Sequence, residues 1–321
     1  MPIWSEILAE LNATTGGNKP PNFDAVRRKY LAALGQHTER NTILYASAWL
    51  QKPDAPASIL SIGDEDVQAL MEVTQGLSGQ HLDLVLHSPG GSPEAAEAIV
   101  SYLRSRFSNI RVIVPNLAMS AATMIACAAN EIVLGKHSFL GPTDPQLILP
   151  TPLGGPRPVP AHAILAQFRR AQKETSEPTR IASWLPMLGQ YGPDLLIRAE
   201  MALRMARELV ARWLEHYMFA ADVAPRERAG PISAWLADHE SSMSHARHIP
   251  RQELRERGMI IRDLETDEKL QDLSLSVFHA TTHTFTGTPA VKIVENHTGR
   301  AFVKHHVVRP GLPNADPARR E

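Results

Sequence analysis

Two glycines and one serine stand at neighbouring junctions of this 321-residue chain, in a pattern suited to acyl transfer. Residues 84–100 read LVLHSPGGSPEAAEAIV, and residues 116–135 read NLAMSAATMIACAANEIVLG. Gly90 and Gly91 let the backbone turn sharply and approach a bound group closely, leaving amide hydrogens free for an oxyanion. Ser120 stands where a strand gives way to a helix, so its hydroxyl lies beside unpaired amides and a positive dipole end. Acyl transfer needs a nucleophile and amide donors about 3 Å from the developing oxyanion. Ser120 is therefore the candidate nucleophile, with Gly90, Gly91 and Ala121 as the candidate oxyanion hole. The competing reading is that Ser120 caps the helix, a position serine favours.

A serine hydroxyl is a weak nucleophile until a base takes its proton. Lys173 is the single lysine between Lys136 and Lys269, an interval otherwise rich in arginine. Arginine cannot give up its proton, whereas a desolvated lysine can be neutral and act as a base. The competing reading is a solvated surface lysine, and the surroundings, FRRAQKET, are polar.

These groups need elements to hold them. NTILYASAWL, LDLVLHS, IRVIVPN and EIVLGKHSFLG read as strands. Between them, GDEDVQALMEVTQGL, with apolar Val67, Leu70, Met71 and Val73, reads as a helix, as do SPEAAEAIVSYLRSRF and SAATMIACAA. This succession predicts an α/β fold with a mostly parallel sheet, whose strand ends gather the reactive groups. Residues 141–162 hold seven prolines and read as a long loop. Its LILP segment, 147–150, is a candidate for pairing with an extended substrate. Helical periodicity returns after the loop and again from Pro193 to about Ala221. HIPRQELRERGMIIRDLE reads as a short helix and a strand. The expected division is a helical arm (1–40), a catalytic domain (41–225), an α+β extension (226–308) and a disordered tail (309–321).

With 33 basic and 34 acidic side chains the net charge is -1, so no general field draws the chain to nucleic acid or anionic lipid. Cys127, the single cysteine, lies in an apolar run and fits a reducing compartment. The start of the sequence lacks a signal-peptide pattern, and no run of about 18 apolar residues occurs. A cytoplasmic protein without an integral membrane segment is expected. His279 and His283, one helical turn apart, lack the glutamate of a zinc-protease helix, so neither metal nor cofactor is assigned. Arg251, Arg255, Arg257 and Arg262, interleaved with Glu253 and Glu256, read as a solvated face.

SPGG at 88–91, AMSAATMIA at 118–126 and FLGPTDPQ at 139–146 resemble the Clp and signal peptide peptidase superfamily, and within it the serine dehydrogenase proteinase family. HARHIPRQELRERGMII and VFHATTHTFTGTPAVKIVENHTGRAF extend the resemblance, so that it covers roughly residues 40 to 305. It implies a Clp/crotonase-like ββα spiral, assembly into homo-oligomers and hydrolysis of peptide or protein substrates by Ser120. The signal peptide peptidases pair their serine with a downstream lysine, a pattern Lys173 matches. Clp proteases use a histidine soon after the strand that ends in GP; here PTDP follows, and His137 is the near candidate. Asp144 would orient the lysine, contact substrate or merely shape the PTDP turn. The expected activity is an ATP-independent serine peptidase with a Ser120/Lys173 dyad. The rival readings are a crotonase-type acyl-CoA enzyme and a catalytically silent scaffold.

Overall fold

The computed structural model describes residues 4–15, 20–150, 155–189 and 191–307. Two helices come first, α1 (Trp4–Ala13) and α2 (Phe23–Thr38), the second started by Asn22 accepting the Ala25 amide. β1 (Asn41–Ser47), α3 (Ala57–Leu60), α4 (Glu65–Thr74) and β2 (His81–His87) follow. Both strands are buried past their first residue, as parallel strands covered on both faces must be. α5 (Pro93–Arg106) has Ser92 as its cap and proline in its first turn. Next come β3 (Asn109–Val114), the two-residue β4 (Leu117–Ala118), α6 (Ala121–Cys127), β5 (Glu131–Leu134) and the two-residue β6 (Phe139–Leu140).

A hairpin of β7 (Gln146–Leu149) and β8 (Arg157–Pro160) leads into α7 (Ala161–Glu174), α8 (Ile181–Leu188) and α9 (Leu195–Trp213). The chain closes with α10 (Pro225–Leu236), α11 (His239–Ser242), β9 (Ile249–Pro250), α12 (Arg251–Glu256), β10 (Ile261–Asp263), α13 (Glu268–Gly287), β11 (Ala290–Asn296) and β12 (Ala301–His305). The central sheet has the order β10-β5-β3-β2-β1-β11-β12, parallel from β10 to β1 and antiparallel at β11 and β12. The protein is thus α/β with a largely parallel sheet. Residues of α4, α5, α6 and α9 pack on one face, and residues of α2 and α13 on the other.

Three expectations need correction. EIVLGKHSFLG is two strands, because Gly135 and Ser138 exchange hydrogen bonds in a turn that breaks it. The proline-rich segment contains the β7–β8 hairpin, where Pro158 and Pro160 are tolerated because the ladder has only two strands. Met71 is exposed, so the apolar stripe of α4 is narrower than its spacing implied. The antiparallel β11 and β12 were not foreseen. The tail at 309–321 lies outside the described residues.

Candidate active site

A second, three-stranded sheet with the order β4-β6-β9 gathers the reactive residues. β4 and β6 are parallel, with Leu117 opposite Phe139 and Ala118 opposite Leu140, so Ser120 and the segment from Gly141 to Asp144 leave the same end. β9 is antiparallel to β6, with Ile249 opposite Leu140, so the residues before β9, including His245, approach from that end too. A bridge between Ser88 and Ala118 brings SPGG beside them.

Ser120 has φ 52° and ψ −119°, a left-handed conformation rare for a residue with a side chain. Such strain costs about 1–3 kcal/mol and persists where the surroundings over-determine it. Here they do. The Met119 amide donates to Ser88 O at 3.0 Å, and the Met124 amide donates to Ser120 O at 3.1 Å. Thr123 donates its hydroxyl to Ala118 O at 2.8 Å and accepts the Gly141 amide at 3.0 Å, tying the serine turn to the strand end beside it. Ser120 makes no side-chain capping bond, so the cap reading finds no support in the geometry. The whole of α6 is buried while Ser120 is half-buried, which leaves its hydroxyl reachable at the helix start.

Gly90 and Gly91 have φ of 95° and 156°. A Cβ on Gly90 would lie 2.6 Å from Ser120 Cβ and 2.9 Å from the Ala121 nitrogen, and one on Gly91 would lie 2.3 Å from Ile62 O. Only glycine fits either place. The Gly90 amide is taken by Ser88 Oγ, whereas the amides of Gly91 and Ala121 have no partner among the described residues. Of the three hole candidates, those two can still donate.

Asp144 is almost wholly buried and accepts two imidazoles: His245 Nδ1 lies 2.7 Å from Oδ1 and His239 Nδ1 lies 2.8 Å from Oδ2. Gln146 also donates to Oδ2. A carboxylate only accepts, so each Nδ1 carries a proton and each Nε2 is left as the nitrogen that can exchange one. That is the arrangement in which a neutral imidazole works as a general base. Among the described residues, Ser120 Oγ makes no hydrogen bond to His239, His245 or Lys173. Such contacts are often long before substrate binds.

Lys173 lies exposed in the last turn of α7. His137 lies two residues before β6, at the end opposite Asp144. His279 and His283 flank Trp4. Sequence reading missed His239 and His245 as partners of Asp144. Their distance along the chain and the irregular approach to β9 hid the convergence, although PTDP with histidines before a short strand was the available signal.

His87, at the end of β2, donates Nδ1–H to Leu117 O at 3.1 Å and so joins the SPGG strand to the serine strand. Burial pushes its pKa down to about 4. Burial likewise pushes the Cys127 thiol up to about 12, which leaves it inert.

Residues 59–182 match the family described as ClpP-like SDH-type serine proteinase. Two uncharacterised proteins of Methanocaldococcus jannaschii are similar to the chain: MJ1495 is 36% identical over 100 residues, 31% of each chain. MJ0137 is 38% identical over 84 residues, 26% of this chain and 29% of that one. The matched stretch thus spans under a third of either relative. Among solved structures, a mutant of the 1510-N membrane-bound stomatin-specific protease aligns with TM-score 0.37 and 14% identity, covering 63% of this chain and 75% of the other. No helix among the described residues is long and apolar enough to cross a membrane.

Proposed function

We propose, from the match of residues 59–182 to the ClpP-like SDH-type serine proteinase family, that the chain hydrolyses peptide bonds with Ser120 as nucleophile and an Asp144-held histidine as base. The observation that carries this reading is the buried Asp144 carboxylate holding two imidazoles by Nδ1 at the end of the small sheet from which Ser120 emerges. We assign His245 as the base, because its segment runs into β9, in the same small sheet as the serine's own strand. Ser120 Oγ attacks the carbonyl carbon and its proton passes to His245 Nε2. Asp144 balances the imidazolium, and the Gly91 and Ala121 amides receive the oxyanion. His245 then gives the proton to the leaving amine, and water releases the acyl group by the reverse path. No nucleotide enters these steps.

A pocket between α5, β7 and α9 is lined by apolar Leu147, Met205 and Leu209 together with charged Glu94, Glu97 and Arg212. The Ser120/Lys173 dyad is the second reading, favoured by one feature of the arm that carries Lys173. Ile148, Ile181, Leu185, Ile197 and Met201 are exposed on that arm, a surface a homo-oligomer would cover. A neighbouring copy would take Lys173 out of water, the setting in which a lysine serves as a base. The test is labelling with a fluorophosphonate probe, comparing His245→Ala, His239→Ala and Lys173→Ala. Absence of an adduct on folded wild type would turn the reading toward a scaffold.

A further inference from the structure

Lys292 on β11 is 3% exposed, and its ammonium saturates its three donors on Ser61 O at 2.7 Å and both oxygens of Asp66 at 2.8 Å. Asp66 in turn accepts the Tyr45 hydroxyl at 2.7 Å and the Gly63 amide at 2.9 Å. A buried ion pair of this kind is weak evidence for stability, since apolar residues of similar volume often do as well. Its placement asks for another explanation.

The segment it holds, Leu60 to Gly63, is the backing of the glycine turn. Ser47 Oγ donates to Leu60 O, Ile62 N donates to Gly90 O at 2.7 Å, and Ser92 N donates to Ile62 O at 3.0 Å. Ile62 therefore grips the chain on both sides of Gly91, with its backbone where a Gly91 Cβ would be. Gly90 in turn touches Ser120 and Ala121 with the same lack of space. A displacement of Ile62 would therefore press on these backbones.

Resting on the reading of Gly91 as an oxyanion donor, we propose that Lys292 and Asp66 are positioning residues for the oxyanion hole, fixing the Gly91 amide through Ser61, Ile62 and Gly63. Donors aimed at the developing charge act only when held in place before reaction, and misplacement by about 1 Å costs on the order of 100-fold. Neither residue touches substrate. Their loss should slow acylation and leave ground-state binding alone.

The experiment measures kinact and KI for fluorophosphonate labelling of Ser120 in the double variant Lys292→Met with Asp66→Leu, which removes both charges together, and in Tyr45→Phe, which keeps the ion pair. In the double variant kinact should fall roughly 100-fold with KI within about threefold, and Tyr45→Phe should stay near wild type. A folded double variant whose kinact lies within about twofold of wild type overturns the proposal, as does an equal change in KI. If the double variant does not fold, Lys292→Arg serves: its planar fork cannot reproduce three ammonium bonds, so kinact should fall about tenfold at an unchanged melting temperature, and an unchanged kinact overturns the proposal. Failure of the underlying reading looks different, because wild type itself would then carry no adduct on Ser120.

Discussion

The turn that carries Ser120 and the arm that carries Lys173 are built in opposite ways. Around Ser120 the positive φ is held by backbone bonds at Ser88 and Gly141 and by the buried Thr123 hydroxyl. The arm has a small separate core of Ala161, Ile164, Leu165, Leu195 and Ala199, and α8 buries no residue at all. One region stores strain in a fixed geometry; the other leaves apolar surface facing outward. A nucleophile needs the first kind of surroundings, and a docking surface needs the second.

The contrast breaks most severely at Asp144. Asp144→Asn keeps the shape but cannot accept from both imidazoles, and is expected to slow labelling of Ser120 by up to roughly 10⁴-fold, read from its pseudo-first-order rate. Gly91→Ala forces a Cβ onto the Ile62 backbone and should cost about 10²–10³-fold together with a lower melting temperature. Thr123→Val removes the hydroxyl's bonds to Ala118 O and to the Gly141 amide, which keeps its bond to Ala118 O, and denaturant unfolding should register a loss of about 1 kcal/mol.

Acid sharpens the comparison more gently. His87 is neutral in the fold with a pKa pushed down to about 4, while an unfolded histidine titrates near 6.5. The unfolded chain therefore binds the extra proton first, so this contribution to stability is present above pH 6.5 and lost as the pH falls toward 4. Its full size is on the order of 3 kcal/mol, and unfolding at pH 7 and pH 4.5 should differ less in His87→Asn than in wild type. The smallest catalytic effect belongs to the arm: Leu185→Glu should leave the labelling rate of dilute protein unchanged and lower the oligomer mass measured by light scattering.

Much of this was legible in the sequence for a physical reason. Strands buried on both faces, such as β2 and β3, appear as apolar runs, and a Gly-Gly pair beside a lone serine before Ala-Ala-Thr-Met marks a place where only backbone fits. The hairpin was obscured because proline usually forbids strands, and two-stranded ladders are the exception. His239 and His245 escaped because their meeting with Asp144 depends on α10 and α11 folding back over PTDP, a tertiary event with no local periodicity. The segment before β9 has neither helical nor strand alternation to announce it.

The central claim is that the base is a histidine held by Asp144. It is tested most directly by mapping the fluorophosphonate adduct and timing its formation in wild type, His245→Ala and Lys173→Ala. The account predicts an adduct on Ser120 that forms roughly 10³-fold more slowly in His245→Ala and within about threefold of wild type in Lys173→Ala. Loss of labelling in Lys173→Ala with retention in His245→Ala would contradict it and give the reaction to the lysine.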